Sequence, residues 1–183
     1  DFVQEGRMAG DWLAQKLNRK GNIVELQGTP GAAPAIDRKK GFEEGIAPYL
    51  PMKIIKSQSG DFTRAKGKEV MEAFLKADGK NINAVYAHND DMALGAIQAI
   101  EEAGLKPGTD IIVVSIDGVK PAFEAIVAGK LNCTVECNPL LGPMVFDTLD
   151  AIRSGDKPDK KIIMKDEVYD ASNAAQALPT RKY

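Results

Sequence analysis

The chain has little of what most catalytic and metal sites are built from: one histidine, His88, one tryptophan and two cysteines, Cys133 and Cys137, in 183 residues. With a single imidazole, neither a Ser/His/Asp triad nor a histidine-rich metal site can be assembled, and a structural role for His88 is the stronger expectation. The glycines at 28 and 31 are followed by no Gly-Lys-Ser/Thr and form no Gly-x-Gly-x-x-Gly, so the phosphate loop and the dinucleotide fingerprint are both missing. No apolar run is long enough to span a bilayer, and Asp1 to Gly10 has neither the basic nor the apolar region of a signal peptide, as a mature exported protein also would not. Lys and Arg (24) and Asp and Glu (26) are interspersed to a net charge of −2, which argues against nucleic acid as a partner for the surface as a whole. The two cysteines are too few to indicate a redox compartment. They fall within one strand pattern, whose rise over four residues is roughly 13 Å, about twice the Cα separation of a disulfide, so they are expected to be unbonded to one another. Asp90, Asp91 and Asp117 lie on two separate loops, a placement that gives paired acid/base catalysis little support. No catalytic residue, cofactor or metal ligand is assigned.

What is present is an ordinary globular composition, 44% hydrophobic and 27% charged, in a length that can bury a core. Short β-branched runs alternate with helical patterns at intervals of about thirty residues, the signature of βαβ units in a parallel sheet. Strands are expected at Asn22–Gln27, Lys53–Gln58, Ala84–Ala87, Asp110–Ile116 and Cys133–Glu136. Helical stripes run through Met8, Ala9, Trp12, Leu13 and Leu17, through Val70, Met71, Phe74 and Leu75, and through Met92, Ala96, Ile97, Ile100 and Ala103. Gly21, Gly79, Gly104 and Gly129 stand where left-handed helix ends are expected. The pattern changes after Cys137, where Asn138-Pro139 leads to a helix over about Leu141 to Arg153, a strand candidate at Lys161–Met164 and a polar tail. The expected architecture is a three-layer αβα lobe with a mainly parallel sheet over residues 1–137, plus a segment, 138–183, that leaves it and packs outside the central sheet.

In an open parallel sheet the ligand sits beyond the carboxyl ends of the strands. The stretches that follow the strands are polar: Gly28 to Pro34 leading to Asp37-Arg38, then Ser59-Gly60-Asp61-Phe62-Thr63-Arg64, His88-Asn89-Asp90-Asp91, and Asp117-Gly118. An aromatic, a guanidinium, an amide and a carboxylate on one rim suit a neutral sugar. The ring face stacks on the aromatic, and the planar groups bridge neighbouring hydroxyls. Arg38, Phe62, Asn89 and Asp117 are the candidates. Each also has a plainer role: Phe62 as a core or lid residue, Asn89, Asp90 or Asp91 as a helix cap, with the two aspartates preferred, Asp117 as a turn residue, and Arg38 as a partner of Asp37 or Glu43 on a solvated helix face.

The run Val85-Tyr86-Ala87-His88-Asn89-Asp90-Asp91-Met92-Ala93-Leu94-Gly95-Ala96-Ile97, with Ser115-Ile116-Asp117-Gly118 and Ala128-Gly129-Lys130-Leu131, resembles the ribose-type (type I) periplasmic sugar-binding proteins of ABC transporters. Val24 to Gly28, Ala35 to Phe42 and Ser57 to Arg64 are closer still to the galactofuranose-binding members. The resemblance runs from Asp1 to about Lys165. It implies two lobes joined by three crossings with a monosaccharide clamped between them, an inner-membrane ABC permease as partner, and a periplasmic location without enzymatic activity. It also implies that 1–137 is the C-terminal lobe and 138–183 the part returning to an N-terminal lobe missing from this sequence. By position, Arg38, Phe62, Asn89 and Asp117 fall where the family contacts its sugar. Ribose members place a sugar-binding Gln where this chain has Cys137, a departure that weighs against ribose. The effector domain of a LacI-type transcription regulator shares the fold; such regulators carry a helix-turn-helix, which this sequence lacks, and the turn Asp117 to Pro121 is closer to the transport proteins.

Overall fold

The computed structural model describes all 183 residues. Asp1 caps the first helix, its carboxylate accepting from the Gln4 amide, and α1 runs Phe2–Lys16. There follow β1 (Gly21–Gln27), α2 (Ala33–Ile46), β2 (Met52–Ser59), α3 (Arg64–Asp78), β3 (Ala84–Ala87), α4 (Asp90–Glu102), β4 (Ile112–Asp117), α5 (Lys120–Val127) and β5 (Cys133–Glu136). After β5 come α6 (Gly142–Arg153), β6 (Val168–Asp170) and a short α7 (Ala174–Ala177). The sheet order is β2-β1-β3-β4-β5-β6; the first five strands are parallel and β6 is antiparallel to β5.

Both faces of this sheet are covered, so its central strands carry apolar residues on both sides. On one face α1 and α2 pack Ala9, Leu13 and Phe42 against Ile23, Tyr86, Val114 and Val135. On the other, α3, α4 and α5 pack Met71, Met92, Ile100 and Phe123 against Val24, Leu26, Val85 and Val113. The first face has an unusually close helix pair. Gly6 and Gly10 of α1 meet Gly41 and Gly45 of α2 so tightly that a Cβ on Gly41 would lie 1.9 Å from the Val3 carbonyl oxygen, and one on Gly6 2.1 Å from that of Arg38. Only hydrogen side chains permit that approach, and it brings Arg38 within reach of α1.

Five strands fall where the sequence places them, within a residue or two at each end. The sixth does not. Lys161–Met164 is outside the sheet with Ile162 and Ile163 exposed, and the free edge of β5 is taken instead by Val168–Asp170, which pairs with Cys133–Val135. The sheet therefore has six strands rather than five, and residues after 167 return to the lobe. An apolar run becomes a strand only where an edge is open to it. Gly104 and Gly129 take the left-handed backbone expected of them, whereas Gly79 is right-handed at φ −44° and the turn before Gly21 uses Asn18 and Arg19 at positive φ. Cys133 is buried, Cys137 half-buried, and both thiols are free.

Candidate functional site

The chain passes from β1 to β2 on one side and returns to β3 on the other, so the strand order reverses beside β1 and opens a crevice at the carboxyl ends of β1 and β3. The residues around it form one connected rim. Arg38, in the second turn of α2 and buried, spends three donors at once: Nε on Glu5 Oε2 at 2.9 Å, Nη1 on the His88 carbonyl at 2.6 Å and Nη2 on Asp117 Oδ1 at 3.0 Å. Its partners are thus Glu5 and Asp117; Lys39, not Arg38, pairs with Glu43. Burial pulls the guanidinium towards neutrality, but Asp117 and Glu5 more than compensate and it is held charged.

Asn89 follows β3 and is itself the cap of α4: its Oδ1 accepts from the Met92 amide at 3.1 Å, and its Nδ2 donates to the Phe62 carbonyl at 3.1 Å. The cap expected from Asp90 or Asp91 is displaced for a clear reason. Asp91 points outward to Arg64, at 2.7 Å. Asp90 points inward and is fully buried, accepting from Ser115 at 2.5 Å, Thr134 at 2.7 Å, and the Gly118 and Val119 amides at 2.7 and 2.8 Å. Burial still raises the Asp90 carboxyl to about 6 against those donors. Phe62 sits half-buried on a loop where it and Asp61 both have left-handed backbone, φ 58° and 54°. Its ring lies against Gly28, where a Cβ would meet the ring at 2.0 Å. Asp117 ends β4 with φ 130°, a strained value for a residue with a side chain. Burial pushes its carboxyl up to about 7, opposed by Arg38 and reinforced by Asp90.

All four residues singled out in the sequence therefore stand on one hydrogen-bonded path, Phe62 to Asn89, through the His88 backbone to Arg38, then to Asp117. Sequence reasoning missed the groups behind them. Glu5 anchors Arg38, and it was legible in principle, because Glu5, Ala9 and Leu13 recur at four-residue spacing on the buried stripe of α1. Behind the β1 loop, buried Glu25 accepts from Lys39 at 2.7 Å, from Ser57 and from His88 Nε2 at 3.1 Å. The Gly28 amide donates to His88 Nδ1 at 3.3 Å, which fixes the proton of a neutral imidazole on Nε2. Burial would raise Glu25, but its bonds to His88, Lys39 and Ser57 bring it down to about 2. Burial lowers His88, which keeps it neutral. Cys137 borders the site beside Glu5, and burial and the neighbouring carboxylates push its thiol up to about 12. No group of three or more His, Cys, Asp or Glu side chains is placed to hold a metal ion.

This arrangement of charged and planar groups at the switch of a parallel sheet coincides with a family match: residues 1–157 fit the model of the periplasmic binding protein domain. The chain belongs to that family. It is 53% identical over its whole length to the galactofuranose-binding protein YtfQ of Escherichia coli (strain K12), and 40% identical over 88% of its length to the ribose import binding protein RbsB of Bacillus subtilis (strain 168). Among solved structures it superposes with a TM-score of 0.92 and 52% identity, over all of its length, on the periplasmic binding component of the arabinose ABC transporter from Shewanella sp. ANA-3, bound to α- and β-L-arabinofuranose. The chain spans 58% of the E. coli protein, 51% of the B. subtilis protein and 61% of the Shewanella chain.

Proposed function

We propose that this chain is the sugar-binding second lobe, with a returning segment, of a periplasmic protein that captures a monosaccharide and hands it to an inner-membrane ABC permease. The observation that carries the reading is the Arg38–Asp117 ion pair at the strand ends, joined through His88 and Asn89 to Phe62. Arg38 spends three of its five N–H groups inside the protein and keeps two. Asp117 Oδ2 is free to accept, and Asn89 keeps one amide hydrogen. These groups bridge adjacent hydroxyls of a neutral sugar while the Phe62 ring supplies an apolar face for its C–H groups. None of them is a nucleophile or an unpaired base, which favours binding without catalysis.

Two relatives favour a furanose as the ligand, one named for galactofuranose and one bound to arabinofuranose. The division of the chain supports a second lobe. Residues 1–137 and those after 167 form the lobe already described, whereas α6 buries none of its residues and leaves Val145, Phe146, Leu149 and Ile152 exposed. Such a face is expected where another body covers it, and we place 138–167 on a first lobe that this sequence does not contain. A thermal-shift panel on the full-length protein tests the function: L-arabinose or D-galactose raises the melting temperature, as any ligand of the folded state must, and amino acids do not. No shift with any sugar would contradict it.

A further inference from the structure

The last residues of the chain return to the site from outside it. Arg181 lies over the ring of Phe123, with its guanidinium carbon 4.2 Å from the centroid, and over that of Tyr169 at 4.6 Å. Its Nη1 donates to Glu136 Oε1 at 2.5 Å, and the Tyr183 hydroxyl donates to the same oxygen at 2.8 Å. The Lys120 amide donates to the Tyr183 carbonyl at 2.6 Å. Glu136 stands opposite Asp117 in the β4–β5 ladder, and the Cys137 amide donates to the Asp117 carbonyl at 3.0 Å. A Cβ on Gly118 would lie 3.1 Å from Arg181 Nη2. The strap thus touches the residue after Asp117, the residue opposite it and the first turn of α5.

Two features support an effect of this contact on Asp117. A strained φ persists only where the surroundings over-determine it, and here the turn is gripped from two sides. Asp90 takes the Gly118 and Val119 amides from within, and Arg181 with Tyr183 closes it from without. Arg181 is also poorly served by its own bonding. Its side chain is 8% exposed, yet Nε and Nη2 have no hydrogen-bond partner. An alkyl chain would stack on Phe123 and Tyr169 without that cost.

We infer that Arg181 is a positioning residue for sugar binding: with Tyr183 it holds Asp117 in the strained conformation that turns its carboxylate to Arg38 and the ligand, without touching the ligand itself. The inference rests on the reading of Asp117 as a sugar ligand. A double-mutant cycle in the full-length protein, titrated calorimetrically with L-arabinose, tests both at once. Arg181→Met is expected to weaken binding about tenfold in the wild-type background and to change nothing further in the Asp117→Asn background, because the residue it positions is already disabled. Equal losses in both backgrounds, or no loss in either, overturn the inference and leave the site intact. An Asp117→Asn protein that binds as tightly as wild type overturns the site itself. Tyr183→Phe, which removes one hydroxyl, runs the same cycle on a smaller scale if Arg181→Met does not fold.

Discussion

Asp117 shows how binding and stability pull against each other at a single residue. Its carboxyl is raised to about 7, so between the ordinary carboxylate range and pH 7 the native state holds a proton that the unfolded chain has released. Its contribution to stability is therefore complete in acid and declines as the pH rises to about 7. On the proposed reading of Asp117 as a sugar ligand, binding has the opposite dependence, since the ionised form pairs with Arg38 and would accept from hydroxyls. Asp117→Asn is expected to melt no lower than wild type at pH 8, with sugar affinity weakened but still measurable, and wild-type affinity should fall as the pH drops from 8 to 5. Melting curves and titrations at those pH values check both signs. The raised Asp90, at about 6, loses its contribution over a similar window. Glu25 runs the other way, since its contribution is present above pH 4.5 and is lost as the pH falls towards 2. The chemistry of these positions was legible in the residue types. Their division of labour was not, because Asn89, Asp90 and Asp91 are three consecutive acceptors, and only tertiary burial decides which caps the helix, which ties the β4–α5 turn and which meets solvent.

The elements were legible to very different degrees. Ile23 to Leu26, Val85 to Ala87 and Val113 to Ile116 announce themselves because strands buried on both faces read as near-continuous apolar runs, interrupted here only by Glu25 and Ser115. Three-residue β6, Val168-Tyr169-Asp170, is too short to carry a period, and Ile162-Ile163 is the more apolar pair, so the edge strand was expected in the wrong place. The interlocked glycines of α1 and α2 were silent for another reason. Gly6, Gly10, Gly41 and Gly45 disfavour a helix locally by about 1 kcal/mol each, and only the packed pair shows why they are there. Gly41→Ala would gain that propensity but drive a methyl into the Val3 carbonyl. We expect a net loss of about 1–3 kcal/mol in denaturant unfolding, with weaker sugar binding because α2 carries Arg38 away from Glu5. An unchanged midpoint would mean that the helices part at no cost.

On the scale of the whole molecule, the sheet is packed on both faces while the segment after β5 is not. Both faces of the sheet are covered and its second edge is taken by β6, but α6 has no buried side chain, and on the rim Phe62 and Asp117 are only half-buried. A sugar held by one lobe keeps water on one face, so its contacts compete with solvent at roughly 0.5–1.5 kcal/mol each. The isolated 183-residue chain is accordingly expected to bind far more weakly than the full-length protein. In the proposed two-lobe site of the full-length protein, truncating Asp117 would leave two sugar hydroxyls and Arg38 without their acceptor, a loss of about 2–4 kcal/mol, or roughly thirty- to a thousandfold in affinity. Calorimetric titration of the full-length protein and its Asp117→Ala variant with L-arabinose is the most direct measurement. Affinity is expected to fall within that range with the fold retained; an Asp117→Ala protein that binds the sugar as tightly as wild type would show that Asp117 is no part of the site.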